Sequence, residues 1–153
     1  MKKTLLILLL LLSCLAVSAQ YFTGFSLQSY KIKSLYPTSF RSLKGRVELT
    51  VGNTADTRSL SNVYVVLYRA GKKFAIGSCD DVTLRQGTAS YIISGQGVLA
   101  EGVSTWDAIV AAFTFKASDY TFDFQVDITH PDGHVDHVVR EGRPVSHYMQ
   151  RFR

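Results

Sequence analysis

Two alternating apolar runs joined by Ala70-Gly71 constrain this chain more than any other feature. The stretch from Lys44 to Gly77 carries Val47, Leu49 and Val51 on one side of a strand, then Val63 to Arg69, then Lys72 to Gly77. Alternation on both sides of a two-residue turn that ends in Gly is a β-hairpin signature, because the turn needs positive φ and the strands need period-two burial. A loop of that length sets Arg69 opposite Lys72 and therefore fixes every later pair. Leu67 is then expected opposite Phe74 and Val65 opposite Ile76. Val63, Val65, Leu67, Phe74 and Ile76 share one face; Tyr64, Val66, Tyr68, Lys73 and Ala75 share the other.

The remaining chain repeats this grammar. Gln28 to Ser34 reads as a first strand, broken over Leu35-Tyr36-Pro37 because Pro37 has no N–H for a ladder. Gly45 to Val51 is a half-buried strand followed by the turn residues Gly52 to Thr57. Thr88 to Ser94 is β-rich, with Gly95 and Gly97 after it marking a bulge or a close backbone approach. Ser104 and Asp107 form a capping box that opens one helix, on which Val103, Trp106, Ile109, Val110 and Phe113 give an apolar face to lay across the sheet. Trp106 is read as a packing anchor there. Tyr120 to Thr129 alternates over ten positions; the turn at His130-Pro131-Asp132-Gly133 returns Val135 to Val139 as its partner, and Glu141 to Pro144 ends the ladder. Six or more short strands with one short helix predict a mainly β fold, an antiparallel immunoglobulin or fibronectin III-like β-sandwich.

The first residues resemble an export signal. A basic head at Lys2-Lys3, an apolar run from Leu5 to Leu12 and Val17-Ser18-Ala19 predict a signal peptide over residues 1–19, a domain over 20–145 and a basic tail over 146–153. The alternative is Leu11-Leu12-Ser13-Cys14, similar to a lipoprotein lipobox, with the chain lipid-anchored through Cys14. Cleavage after Ala19 leaves 15 basic against 12 acidic residues, a mildly basic surface rather than a polyanion-binding one. It also leaves Cys79 alone, so no intramolecular disulfide forms and the core holds by packing. Cys79 reads as a small apolar filler. With 46% hydrophobic and 12% aromatic residues the chain has ample material for that core.

The segments Ile32 to Ser39, Val47 to Asn53, Leu60 to Val63, Gly71 to Gly77 and Gly87 to Ser90 resemble the late embryogenesis abundant type 2 family, also called the WHy domain. The resemblance covers Tyr30 to Leu99. It departs at Asn53, followed by Thr54 where the family often has Pro. It implies a folded β-sandwich with a non-catalytic role in stress tolerance or envelope maintenance, and no catalytic residues to carry over.

Few residues point to chemistry. His130, His134 and His137 with Asp127, Asp132 and Asp136 are the one cluster with metal-ligand composition. A turn over His130 to Gly133 pairs Thr129 with His134 and Val126 with His137. That register places His137 on the apolar side and His134 on the wet side, so they cannot share an ion. Asp80-Asp81 reads as a solvated turn rather than half a calcium site. Arg41, Lys44 and Arg46 beside Lys31 and Lys33 form a basic region that could meet anionic lipid or glycan. No catalytic, cofactor-binding or metal residue is assigned, no cofactor or small-molecule substrate is expected, and nucleic acid is excluded by compartment. The expectation is a non-enzymatic exported protein of the periplasm or cell envelope that binds or shields protein partners, membrane or glycan surfaces, in stress or desiccation tolerance. Its alternative is an adhesion or assembly module using an exposed sheet edge, with a metal-dependent hydrolase ranked lowest. The sequence leaves the oligomeric state open.

Overall fold

The computed structural model describes residues 25–114 and 116–146; the expected leader, Cys14 and the tail from His147 onward lie outside them. Among the described residues, eight antiparallel strands, one α-helix and a short 3-10 turn at Ala117–Asp119 form the predicted β-sandwich. The strands and helix are β1 (Phe25–Pro37), β2 (Ser42–Asn53), β3 (Arg58–Arg69), β4 (Lys72–Cys79), β5 (Val82–Leu84), β6 (Gly87–Leu99), α1 (Thr105–Phe113), β7 (Tyr120–Thr129) and β8 (Val135–Pro144). The ladder runs β1-β2-β6-β4-β3-β7-β8, with β5 pairing β3.

Two apolar clusters fill the interior. One is built on β3, β4 and β7 around Leu67, Phe122 and Phe124; the other joins Phe25, Val47, Leu49, Val51, Leu84 and Ile93. Leu60 and Cys79 pack against both, so the two halves of the ladder share one interior. Strand alternation explains the lining: Val47, Leu49 and Val51 are buried as their period-two spacing predicts, and Tyr120, Phe122, Phe124, Val126 and Ile128 do the same on β7. A fully buried aliphatic side chain contributes about 1.5–3 kcal/mol, so these rows hold the sandwich without a disulfide.

The hairpin turn is as expected and its register is not. Ala70 and Gly71 both have positive φ, 49° and 81°, the requirement of a type I′ turn. Arg69 pairs with Lys72, but Leu67 pairs with Ala75 and Val66 with Ile76. Phe74 is an extra residue in a β-bulge, which shifts the register by one. Both Phe74 and Ala75 are therefore buried, and Ile76 leaves the predicted core row and is only half-buried. A second bulge lies opposite Val126, where Asn62 adopts φ 52°, a region Asn tolerates better than most residues.

Three other boundaries move. Pro37 sits on an edge strand, where no ladder N–H is required, so β1 continues through Leu35 and Tyr36. Glu141 and Gly142 do not end β8: a bulge absorbs them and the ladder resumes at Arg143 opposite Phe122. Gly95 and Gly97 lie in an unbroken register with β2. The role of Gly95 is close approach, since a Cβ there would stand 3.2 Å from the Ser78 carbonyl oxygen.

Candidate functional site

The helix turns the opposite way from its sequence expectation. Ser104 Oγ accepts from the Asp107 N–H at 3.0 Å, and Asp107 Oδ2 accepts from the Ser104 N–H at 3.1 Å, so the predicted capping box is present. The side that meets the sheet, however, is Ala108 and Ala111, both part of the β3/β4/β7 core. Trp106 is 70% exposed and Phe113 71%, with Val110 between them. Trp106 is therefore not a packing anchor. Alanine lets the helix backbone approach the sheet closely, whereas Trp106 or Phe113 would hold it away; only Val103 and Ile109 of the expected face are partly covered.

A cation fixes the helix entrance. Arg41 Nη1 donates to the Val103 carbonyl at 2.5 Å and Nη2 to the Ala100 carbonyl at 2.7 Å. Thr105 Oγ1 donates to the Phe40 carbonyl at 3.0 Å. The β1–β2 turn and the start of α1 are thereby tied together across more than sixty residues of chain. An apolar groove of about 300 Å³ lies between them, with Pro37, Leu43, Leu99 and Ile109 among its lining. Its polar rim is already engaged: the Thr38 and Ser39 hydroxyls each lie 2.7 Å from the Ser42 Oγ.

The basic region is dispersed by these contacts. Arg41 serves the helix entrance, Lys33 pairs with Glu48 at 2.8 Å, and Lys31, Lys44 and Arg46 remain exposed. The Ser104 backbone and hydroxyl hold the Asp107 carboxyl below its usual range, and Arg69 adds to this from the hairpin.

The histidines separate into two groups. The loop after β7 has five residues rather than four, because the His130 N–H donates to the His134 carbonyl and Thr129 pairs with Val135. The one-residue shift pairs His137 with Asp127, not Val126, and moves it to the wet side. His130 Nε2 and His134 Nε2 both reach Asp136, at 2.7 and 2.8 Å, while His137 Nδ1 meets Asp127. Asn62 Nδ2 donates to the other Asp127 oxygen at 2.8 Å. Among the described residues no group of three or more His, Cys, Asp or Glu side chains has the geometry to hold a metal ion. Asp80 and Asp81 are exposed, and burial followed by the two neighbouring carboxylates pushes the Cys79 thiol up to about 12. At neutral pH it is a protonated filler.

These pairs make stability depend on acid. The Asn62 hydrogen bond, then His137, holds the Asp127 carboxyl low; His130 does the same for Asp136. A carboxyl whose folded pKa lies below its unfolded value stabilises the fold above the unfolded pKa, about 4, and loses that contribution as pH falls through the folded value. Thermal midpoints measured against pH are expected to fall below about pH 4. Asp127→Asn should make that fall shallower than in the parent protein.

No family model matches the chain, and no curated protein matches it. Among solved structures it is similar to a protein from Archaeoglobus fulgidus at 14% identity, covering 75% of this chain and 93% of that one, TM-score 0.44. A FixG-related protein from Vibrio parahaemolyticus matches at 10% identity over 78% and 94%, TM-score 0.31. The archaellum periplasmic stator protein FlaG from Sulfolobus acidocaldarius matches at 13% over 74% and 99%, TM-score 0.25. Likenesses this distant carry no activity, ligand or partner across.

Proposed function

We propose that this chain is an exported, non-catalytic assembly module that captures an extended segment of a partner protein along β8. The carrying observation is the contrast between the two strands that end the sheet order. β1 is guarded: its pairing with β2 breaks register twice, it carries Lys31 and Lys33, and it closes on Pro37. Bulges, lysines and proline are the devices by which edge strands avoid adding another strand. β8 lacks them over Val135 to Arg140, which pair with β7 without a break, and Val135 and Val139 are 41% and 52% exposed. An edge of this kind offers a row of backbone donors and acceptors for affinity and two apolar side chains for selectivity. The shielding role implied by the family resemblance has no particular residues to carry it and ranks second.

The test places a photoactivatable residue at Val139 in the full chain and irradiates intact cells. Tyr64, on a strand paired on both sides, serves as the control position. A discrete protein adduct is expected at Val139, absent at Tyr64 and lost when Val135 is replaced by proline in a variant that keeps its circular dichroism. An adduct that survives the proline, or one of equal strength at Tyr64, overturns the reading.

A further inference from the structure

We infer that the outward stripe of α1 docks on an anionic membrane surface. The inference is independent of the β8 edge. Trp106, Val110 and Phe113 stand at i, i+4 and i+7, one face of a helix, and all three are exposed. Phe40, 91% exposed, stands on the β1–β2 turn at the helix entrance, where its carbonyl takes the Thr105 hydroxyl. A tryptophan, a valine and a phenylalanine exposed on one helix face are an apolar patch that water disfavours, and such patches mark contact sites.

The charges around the stripe choose the occupant. Lys116 follows the helix closely in sequence. Lys72 and Lys73 are at the tip of the β3–β4 hairpin, which the Ala70 N–H joins to the Asp119 carbonyl at 2.9 Å beyond the helix end. All three lysines are exposed. With Arg69 these cations outnumber Glu101, Asp107 and Asp119, and Asp107 is committed to the helix cap as Arg41 is to the Val103 and Ala100 carbonyls. Lysine is depleted at the centres of protein interfaces but favoured beside anionic headgroups, where its aliphatic stem lies along the apolar layer and its ammonium stays at the phosphates. A helix of nine residues, about 14 Å long, is too short to span a bilayer and lies in its interface. Aromatic residues on one side with cations at the margin are the composition of such a helix. In this arrangement α1 settles in the plane of the headgroups with Trp106 and Phe113 beneath them.

Trp106 is the only tryptophan in the chain, so its fluorescence reads the contact directly. The protein is used from Gln20, a span that keeps every described strand and both cores. It is titrated with vesicles of phosphatidylcholine alone and of phosphatidylcholine with phosphatidylglycerol. A blue shift and co-sedimentation are expected with the anionic vesicles, weakening as salt is raised. Phe113→Ser should reduce vesicle affinity about tenfold or more. Lys72→Gln, Lys73→Gln and Lys116→Gln should each reduce it about fivefold. These positions are exposed, and matching thermal melts will confirm that the variants fold. No shift with anionic vesicles, equal binding to neutral ones, or binding unchanged in Phe113→Ser overturns the inference. A blue shift that grows with protein concentration without vesicles also overturns it, since a second copy is then the occupant.

Discussion

Replacing Phe122 by alanine is expected to destabilise the protein by about 3–5 kcal/mol, the largest single effect from an apolar position. Phe122 is 1% exposed and stacks on Phe124 with ring centroids 6.1 Å apart. It pairs with Leu67, itself fully buried, across the β3–β7 ladder. Both neighbours are held by strands paired on each side, so the backbone cannot close over the space that the ring leaves. The penalty therefore includes a persistent cavity as well as the lost transfer energy. Domains of this size are stable by about 5–15 kcal/mol, so the loss is a large fraction of the total. Urea denaturation checks this, with Phe40→Ala as the comparison. That side chain is almost wholly exposed, and its removal should change stability by less than about 0.5 kcal/mol. A loss below about 1 kcal/mol for Phe122→Ala would refute the placement of this ring at the centre of the core.

Asn53→Ala is expected to cost about 3 kcal/mol although it removes little apolar surface. Asn53 is 2% exposed and ends β2. Its Nδ2 donates to the carbonyls of Asp56 and Leu84, each at 3.2 Å, and its Oδ1 accepts from the Ala55 N–H at 2.9 Å. One side chain thus holds the loop after β2 and joins it to β5. Alanine would leave the buried bond to the Leu84 carbonyl and the part-buried bonds to Asp56 and Ala55 unmade, and orphaning a buried group costs about 1–3 kcal/mol. Thermal melting should show the loss, and amide hydrogen exchange should show it first at Val82 to Leu84. Asn53→Asp should not rescue, because the carboxylate keeps the acceptor but loses both donors and places a charge in a dry site. Unchanged exchange in β5 would overturn this account. The same contacts explain why a strand ending in Asn is stable here with Thr54 after it: the side chain supplies the turn.

Much of the fold was legible in residue order because its signals are local. The alternation of Val47, Leu49 and Val51 and of the ten residues of β7 identifies both the strands and their buried faces, since period two allows only one assignment once a core exists. Ala70-Gly71 identified the hairpin turn, and Ser104 with Asp107 identified the helix start. The register did not follow from the turn. Phe74, Asn62 and the pair Glu141-Gly142 each add a residue to one strand, and whether a bulge forms depends on what the partner strand and the opposite layer accept.

The candidate sites were less legible. In sequence Arg41 belongs to a basic surface, and its contacts with Val103 and Ala100 exist only when the helix is in place. The turn chemistry sets His137 on the apolar side, but the loop is one residue longer than that chemistry implies, so His137 takes the wet side while His130 and His134 meet at Asp136. The helix shows the limit most clearly. Spacing groups Val103, Trp106, Ile109, Val110 and Phe113 on one apolar face, and residue order alone determined that grouping, along with the strands, the turn and the helix cap. Which side of the helix meets the sheet was decided by tertiary structure, because Ala108 and Ala111 join the cluster of Leu67, Phe74 and Phe122, where small side chains let the helix pack closely and an aromatic one would hold it away.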